Sequence, residues 1–478
     1  MNNGRYGDCF DPERGLLSRR LFSDPEIFEA ELDRIFSRAW LFVAHESMVP
    51  KPNDYFCSRM GVERVIVTRD KQGKLHVLLN TCRHRGMRLV RADLGNTVLF
   101  TCPYHAWSYS TDGTVVKAPG QLVGVQAYQQ AYQKQIDKVE WGLVQARVET
   151  YKGAIFATFD HDAPSLLDYL GGFRYYLDAL LDPQDGGDGR TEVIGGILKW
   201  RLRSNWKPCA ENFVGDFLHV PSHRSVELVG IGPGGPGKSR HGLEVGMDLP
   251  PIVMTAFPKF GHGVMGPEPY TMTPERADIY PKFEAPVGPL DIPPIVDAYY
   301  RDVAERRKKN LDGKTIAAHN AMVGGLFPNF SCHPAPFPRT MAVWHPVSPT
   351  ETEGWRILLV DADAPQEVKD LSRHHFMRYS GPVGMTEQDD MENWAYLSES
   401  AEGNVVKKYP FNYQAGLRTE RPSNLLPDAT VSDVLYTEMT LRGFYKAWAA
   451  HMESDTWSEY LAKVNFSGTP ESPHAPTT

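Results

Sequence analysis

The sequence predicts an α+β protein in which a small all-β domain precedes a larger mixed domain. Three observations predict it. Between about Asp54 and Asp160, short runs rich in β-branched and aromatic residues are broken by turns. Beyond Asp160, helical and extended stretches mix without the strict alternation of a doubly wound sheet. No internal repeat or low-complexity block interrupts either part.

The elements follow in order. Ser23 and Glu26 read as a capping box with Pro25 in the first turn, and Phe28, Leu32, Ile35, Phe36, Ala39 and Trp40 recur at helical spacing. Arg64–Thr68 and Leu75–Leu79 flank the polar turn Asp70-Lys71-Gln72-Gly73, a hairpin. Val98–Phe100, Leu143–Val148 and Ala154–Phe159 continue the β pattern. Helices are expected at Ser165–Leu181, Ile295–Leu311, Pro365–Tyr379, Glu387–Ser400 and Ser432–Met452, and strands at Glu192–Leu202, Met341–His345 and Trp355–Val360. This gives an N-terminal helical segment at 1–40, the all-β domain at 41–162, the mixed domain at 163–465 and a disordered tail at 466–478.

Composition narrows the function. A net charge of −8 and a pI near 6.1 exclude a dedicated nucleic-acid binder. No apolar run approaches the roughly 18 residues of a membrane span. The opening stretch carries charges where a signal peptide places its apolar core, and six cysteines are too few for a secreted disulfide scaffold. A cytoplasmic enzyme is expected.

Four metal-ligand residues fall in one window: Cys82 and His84, seventeen residues, then Cys102 and His105. Thiolate with imidazole suits zinc or an iron–sulfur cluster. Structural zinc sites commonly leave about two to four residues between paired ligands, whereas one separates Cys82 from His84. This pattern resembles the Rieske signature, in which two Cys hold one iron of a [2Fe-2S] cluster and two His the other. Cys9, Cys57, Cys209 and Cys332 show no paired spacing and read as ordinary thiols.

More than three hundred further residues imply something for such a cluster to feed. Asn205 reads as a helix N-cap, and Asn212, Asp216, His219 and His223 follow at spacings of 4, 3 and 4, which puts them on one helical face. Pro221 should end or kink that helix. The stretch resembles the iron-binding helix of the Rieske-type aromatic-ring-hydroxylating oxygenases, large subunit. The resemblance covers essentially the whole chain and implies a catalytic domain with an antiparallel sheet flanked by helices. It implies a 2-His-1-carboxylate triad of His219, His223 and a distant Asp, holding mononuclear Fe(II) with positions open for O2. The distant element is Gly381–Trp394; the family pattern points to Asp390, while position alone does not separate it from Asp389. Three residues lie between the two His, fewer than in many members, so His241 and His262 stand as fallbacks, each expected to be a solvated loop residue. The resemblance also implies that Asp216 bridges His219 to His105 of a neighbouring subunit.

Gly230-Ile-Gly232-Pro-Gly-Gly235 matches a dinucleotide fingerprint only formally, since no strand precedes it and prolines interrupt it. Electrons from NADH are therefore expected indirectly, through a reductase and a ferredoxin. Glu305–Lys309 reads as a solvated helix face, and adjacent His374 and His375 cannot ligate together. Arg83, Arg85, Arg88 and Arg91 surround the cluster loops as exposed arginines or part of a ferredoxin-docking face.

The expected protein is the terminal oxygenase (alpha) subunit of a ring-hydroxylating dioxygenase, with a beta subunit in an α3β3 assembly, converting an aromatic ring and O2 to a cis-dihydrodiol. Asn212, Phe213, Phe217 and Thr386 are the pocket candidates. The small Thr386 leaves room for a polycyclic or biaryl hydrocarbon. Alternatives are an aromatic carboxylate such as a phthalate, a Rieske monooxygenase, an electron-transfer or ligand-binding Rieske protein without mononuclear iron, and a zinc-containing structural protein.

Overall fold

A computed structural model describes residues 6–116, 140–182, 190–228, 253–266, 293–311, 323–334 and 339–465, apart from 425, 427, 433 and 435. The Gly230–Gly235 motif, His241 and the tail 466–478 lie outside the described residues.

Two antiparallel sheets dominate. In the N-terminal part seven strands run in the order Leu41–His45, Ala154–Thr158, Gln145–Tyr151, Leu75–Leu79, Glu63–Arg69, Asp54–Met60, Leu94–Asn96. A three-stranded sheet of Leu99–Thr101, Ser108–Ser110 and Val115–Val116 carries the second cysteine loop. The expected hairpin is present, with Arg69 opposite Leu75. The larger sheet has nine strands in the order Thr191–Leu202, Glu351–Asp361, Arg339–Ser348, Phe330–His333, Val323–Leu326, His262–Gly266, Val253–Phe257, Thr430–Ser432, Arg421–Pro422.

The helix Trp206–Gly215 lies on the middle of this sheet with all ten residues buried. Two glycines permit the close approach: a Cβ on Gly263 would stand 2.5 Å from the Val214 carbonyl, and one on Gly325 would stand 2.4 Å from Val214 Cγ1. The helices Gln366–Tyr379, Met385–Ser400 and Met439–Met452 complete the layer around it.

One apolar core runs through both parts, from Trp40 and Phe156 to Phe213, Trp344 and Trp448. The N-terminal helix Pro25–Glu31 is tied to this helix layer by Glu31, which is fully buried. Its carboxylate accepts hydrogen bonds from Lys207 Nζ at 2.6 Å, Trp206 Nε1 at 2.8 Å and Trp448 Nε1 at 2.7 Å. A buried charge is tolerated when paired and hydrogen-bonded in this way.

Several expectations are corrected. Asp24, not Ser23, caps the first helix by accepting from the Glu26 N–H, while Ser23 Oγ donates to the Ala401 carbonyl. The stretch Ser165–Leu181 is two helices, Leu166–Leu170 and Arg174–Leu181, broken at Gly171, whose φ of +48° a side chain would strain. The last long helix begins at Met439 rather than Ser432, because Thr430–Ser432 pairs instead with Met254–Ala256 as a strand. His262 is no loop residue: it opens a strand, is buried, and bonds the Tyr169 carbonyl through Nε2 and the Phe327 N–H through Nδ1.

Two candidate metal centres

The two cysteine loops share one backbone design. Cys82 N–H donates to the Met87 carbonyl and Gly86 N–H returns to the Cys82 carbonyl; Cys102 N–H donates to the Trp107 carbonyl and Ala106 N–H returns to that of Cys102. Each loop turns through a left-handed residue at the same place, Gly86 at φ +73° and Ala106 at φ +59°. The thiols are thereby turned inward, 3% and 2% exposed, and the imidazoles of His84 and His105 outward, 4.7 Å apart between ring centroids.

Trp107 stacks flat on His84, and the buried Tyr109 hydroxyl accepts the Arg83 N–H at 3.0 Å while lying 3.4 Å from Cys82 Sγ. Burial raises the pKa of the Cys82 thiol, and Cys102 beside it adds to the rise. Two thiols in a dry pocket give up their protons most readily to a metal. His84 Nδ1 is buried without a partner among the described residues. Two thiols facing two imidazoles, one nitrogen unspent, fit a cluster of Rieske type.

The second centre starts from the end of the helix Trp206–Gly215. Asn205 caps its start through the Lys207 N–H, as expected. The expectation of one continuous helical face fails at Gly215, whose φ of +130° ends the helix. Asp216 and Phe217 turn the chain back, and a short 3-10 turn, Val220–His223, carries Pro221 near its start, where the missing N–H costs nothing. The convergence foreseen for a helix face is produced by this turn instead.

His219 donates from Nδ1 to the Asp216 carbonyl, which leaves its Nε2 facing His223 Nε2 at 3.1 Å. Asp390, on the helix Met385–Ser400, brings Oδ1 to 3.7 Å from His219 Nε2 and 3.3 Å from His223 Nε2. The ligand atoms of His219, His223 and Asp390 lie within 4.8 Å of one another. Asp390 Oδ1 is buried without a hydrogen-bond partner among the described residues. Burial pulls the His223 pKa down, but Asp390 and Asp389 outweigh it and hold it above its ordinary value. Two imidazole nitrogens converging with an unsatisfied carboxylate oxygen are a donor set that suits a divalent iron.

The neighbouring carboxylate does something else. Asp389 accepts from Ser225 Oγ at 2.8 Å and stands 3.4 Å from His223 Nδ1, an ion-pair contact without a hydrogen bond. Asp216 meets His219 through its carbonyl, and its carboxylate is 3.8 Å away, accepting the Leu218 N–H and part-exposed.

Phe213 and Phe217 are buried beside this centre, and Asn212 is 7% exposed. Phe217 packs with Met254, Met265 and Met439. Thr386, in the first turn of the Asp390 helix, keeps Oγ1 without a partner among the described residues. Three residues went unread in the sequence. Arg356 lies 4.9 Å over the Phe213 ring and pairs with Glu387, and His333 stands edge-on to Phe213 at 5.3 Å. Only Glu387 carried a signal, its place three residues before Asp390 on one helix.

A cysteine–histidine cluster domain joined to a sheet-and-helix domain with a 2-His-1-carboxylate group defines a Rieske oxygenase large subunit. The family comparisons agree: residues 39–129 match the Rieske [2Fe-2S] domain and residues 189–454 match the ring-hydroxylating alpha subunit catalytic domain. The chain belongs to the alpha subunits of the aromatic-ring-hydroxylating dioxygenases. It is 36% identical to the biphenyl 2,3-dioxygenase subunit alpha of Rhodococcus jostii (strain RHA1), over 94% of this chain and 92% of that one. It is 35% identical to the benzene 1,2-dioxygenase subunit alpha of Pseudomonas putida, over 95% and 94%. Among solved structures, naphthalene 1,2-dioxygenase with indole bound superposes with a TM-score of 0.82 at 28% identity, covering 97% of this chain and 98% of that one. A Rieske cluster and a mononuclear iron are the cofactors of this family. Among the described residues no helix is long and apolar enough to cross a membrane.

Proposed function

We propose that this chain adds both atoms of O2 to neighbouring carbons of a biaryl or polycyclic aromatic ring, giving a cis-dihydrodiol. The observation that carries the reading is the convergence of His219 Nε2, His223 Nε2 and Asp390 Oδ1 next to buried Phe213. On this reading those three hold the mononuclear iron, and Cys82, His84, Cys102 and His105 hold the cluster. When bound, the cluster supplies electrons singly and the iron supplies the site at which O2 is activated.

The remaining work belongs to the protein. Phe213 and Phe217 exclude water and hold the flat ring. Asp216 fixes the Nδ1 tautomer of His219 through its carbonyl. That leaves its part-exposed carboxylate for His105 of a neighbouring subunit. Asn212, one helical turn before Asp216, lines the same side. We assign the N-terminal segment to 1–40, the Rieske domain to 41–162 and the catalytic domain to 163–465. We assign a beta subunit in an α3β3 assembly, with a ferredoxin and reductase delivering electrons from NADH. The relatives' designation as alpha subunits supports the partner.

Thr386 is small where a large ring would close the pocket, which favours a two-ring substrate; the biphenyl-oxidising relative points the same way. A carboxylated substrate would need a cation to spare; the charge of Arg356, next to Phe213, is balanced by Glu387 through Nε and Nη2, while its Nη1 is buried without a partner among the described residues.

The test is an anaerobic visible and EPR spectrum with iron and zinc counted on one sample, then ferredoxin-coupled turnover of biphenyl and naphthalene under labelled O2. A Rieske signal, about three irons per chain after Fe(II) loading and both label atoms in the product support the reading. A colourless zinc protein overturns it.

A further inference from the structure

The sheet beneath Phe213 presents a histidine that the mechanism above does not use. His333 ends the strand Phe330–His333. Gly325, which touches Val214 of the central helix, pairs with Ser331, and alternation puts His333 on that same helix-facing side. The His333 ring stands 5.3 Å from Phe213, tilted 74° to it. Its Nδ1 is 3.0 Å from Oγ1 of its register partner Thr340. Ser331 and Cys332 are wholly enclosed and Thr340 is 1% exposed, yet His333 keeps partial exposure. Among the described residues nothing bonds its Nε2.

Burial, then the charges of Arg356 and His223, lower the His333 pKa well below its ordinary value and so keep the ring neutral. One nitrogen of a neutral imidazole donates and the other accepts. The Thr340 hydroxyl can take either part, so Nε2 is left as an N–H or as a lone pair on a ring that stands beside Phe213. A hydroxyl group satisfies both cases, whereas a bare hydrocarbon satisfies neither and leaves the nitrogen dry. Thr386, on the helix that carries Asp390, repeats the pattern, since its Oγ1 also lacks a partner among the described residues.

We propose that His333 is a specificity-determining residue whose Nε2 hydrogen-bonds a hydroxyl on the aromatic substrate, so that hydroxylated biaryl or polycyclic rings are taken in preference to the hydrocarbons themselves. The proposal rests on the oxygenase reading for the place of the ring, and its test separates the two.

The test uses the full chain assembled with its partner subunit and loaded with iron. Anaerobic calorimetric titration compares biphenyl with the monohydroxybiphenyl isomers, and turnover under labelled O2 follows on the same preparations. The wild type is expected to bind at least one hydroxylated isomer about tenfold more tightly than biphenyl, the worth of one hydrogen bond. His333→Leu is expected to bring that ratio to about one, with iron content and the cluster spectrum unchanged. Thr340→Val, which frees the ring but keeps it, is expected to lower the ratio severalfold and decides the matter if His333→Leu does not fold. No preference in the wild type, or one that survives both substitutions, overturns the proposal. A preference that vanishes in His333→Leu in a protein that incorporates no labelled oxygen upholds His333 and sinks the oxygenase reading.

Discussion

Arg356 and Glu387 form a buried two-pronged ion pair one helical turn from Asp390. Arg356 Nη2 reaches Glu387 Oε1 at 2.5 Å and Nε reaches Oε2 at 3.2 Å, with the two side chains 3% and 2% exposed. Glu387 Oε2 also accepts the Gly381 N–H, so one carboxylate ties the sheet, the approach to the helix and the helix itself together. The pair stands against Phe213 on one side and shares the helix of Asp390 on the other.

Removing one partner strands the other charge. Glu387→Gln is expected to cost about 3–5 kcal/mol, because breaking a buried pair exposes its full desolvation penalty. Arg356→Met with Glu387→Leu together should restore most of the thermal midpoint, since an apolar pair pays no such penalty. Calorimetric midpoints of the single and double variants check the stability. Iron content checks the site: it should fall in Glu387→Gln, whose loosened first turn positions Asp390.

Asp389 and Asp390 adjoin in sequence but point to different tasks. Asp390→Ala should abolish iron retention while the cluster spectrum stays intact. Asp389→Ala should weaken iron binding about 10–100-fold, as expected for a carboxylate that stands beside a ligand. Iron counted against cluster absorbance after dialysis distinguishes the two. Equal losses would put both carboxylates on the metal.

Local chemistry was legible in the sequence, and distant pairing was not. Cys82, His84, Cys102 and His105 sit on two short loops, so spacing alone groups them. His219 and His223 were singled out by residue type and spacing and Asp390 by the family pattern, but the single helical face offered for the two His does not form. Gly215 breaks the helix, and the turn through Asp216 brings His219 and His223 together. His262 looked like a loop residue because its strand is short and Gly-rich, Gly261-His262-Gly263. Arg356 and Glu387 lie on a strand and a helix 31 residues apart, and His333 meets Phe213 only once the sheet has formed. No periodicity along the chain encodes such contacts.

Tyr109 predicts the electron side. Its hydroxyl accepts the Arg83 N–H and so directs its proton at Cys82 Sγ, 3.4 Å away. Such a bond spreads the negative charge gained on reduction and raises the potential. Tyr109→Phe should lower the cluster potential by on the order of 60 mV, the one-electron equivalent of about 1.4 kcal/mol. Protein-film voltammetry reads the shift directly, and a rise or no change would deny the bond.

Glu211 predicts how stability follows pH. It precedes Asn212 on the central helix, is 6% exposed, and accepts from Tyr413 at 2.8 Å and from Tyr445. Burial raises its carboxyl pKa from 4.5 to about 8, the two tyrosines oppose the rise, and Asp216 and Glu438 add to it. The folded protein therefore holds a proton that the unfolded chain releases. The stabilisation from Glu211 is complete below about pH 4.5 and is lost as pH rises to about 8, falling by about 1.4 kcal/mol per pH unit across that window. Glu211→Gln keeps an acceptor for a tyrosine and removes the titration. Urea midpoints taken from pH 5 to 9 should show the wild type losing ground to Glu211→Gln up to about pH 8 and running parallel above it. Parallel curves throughout would mean that the carboxyl is ionised in the folded state, with its two tyrosines sufficient to hold the charge.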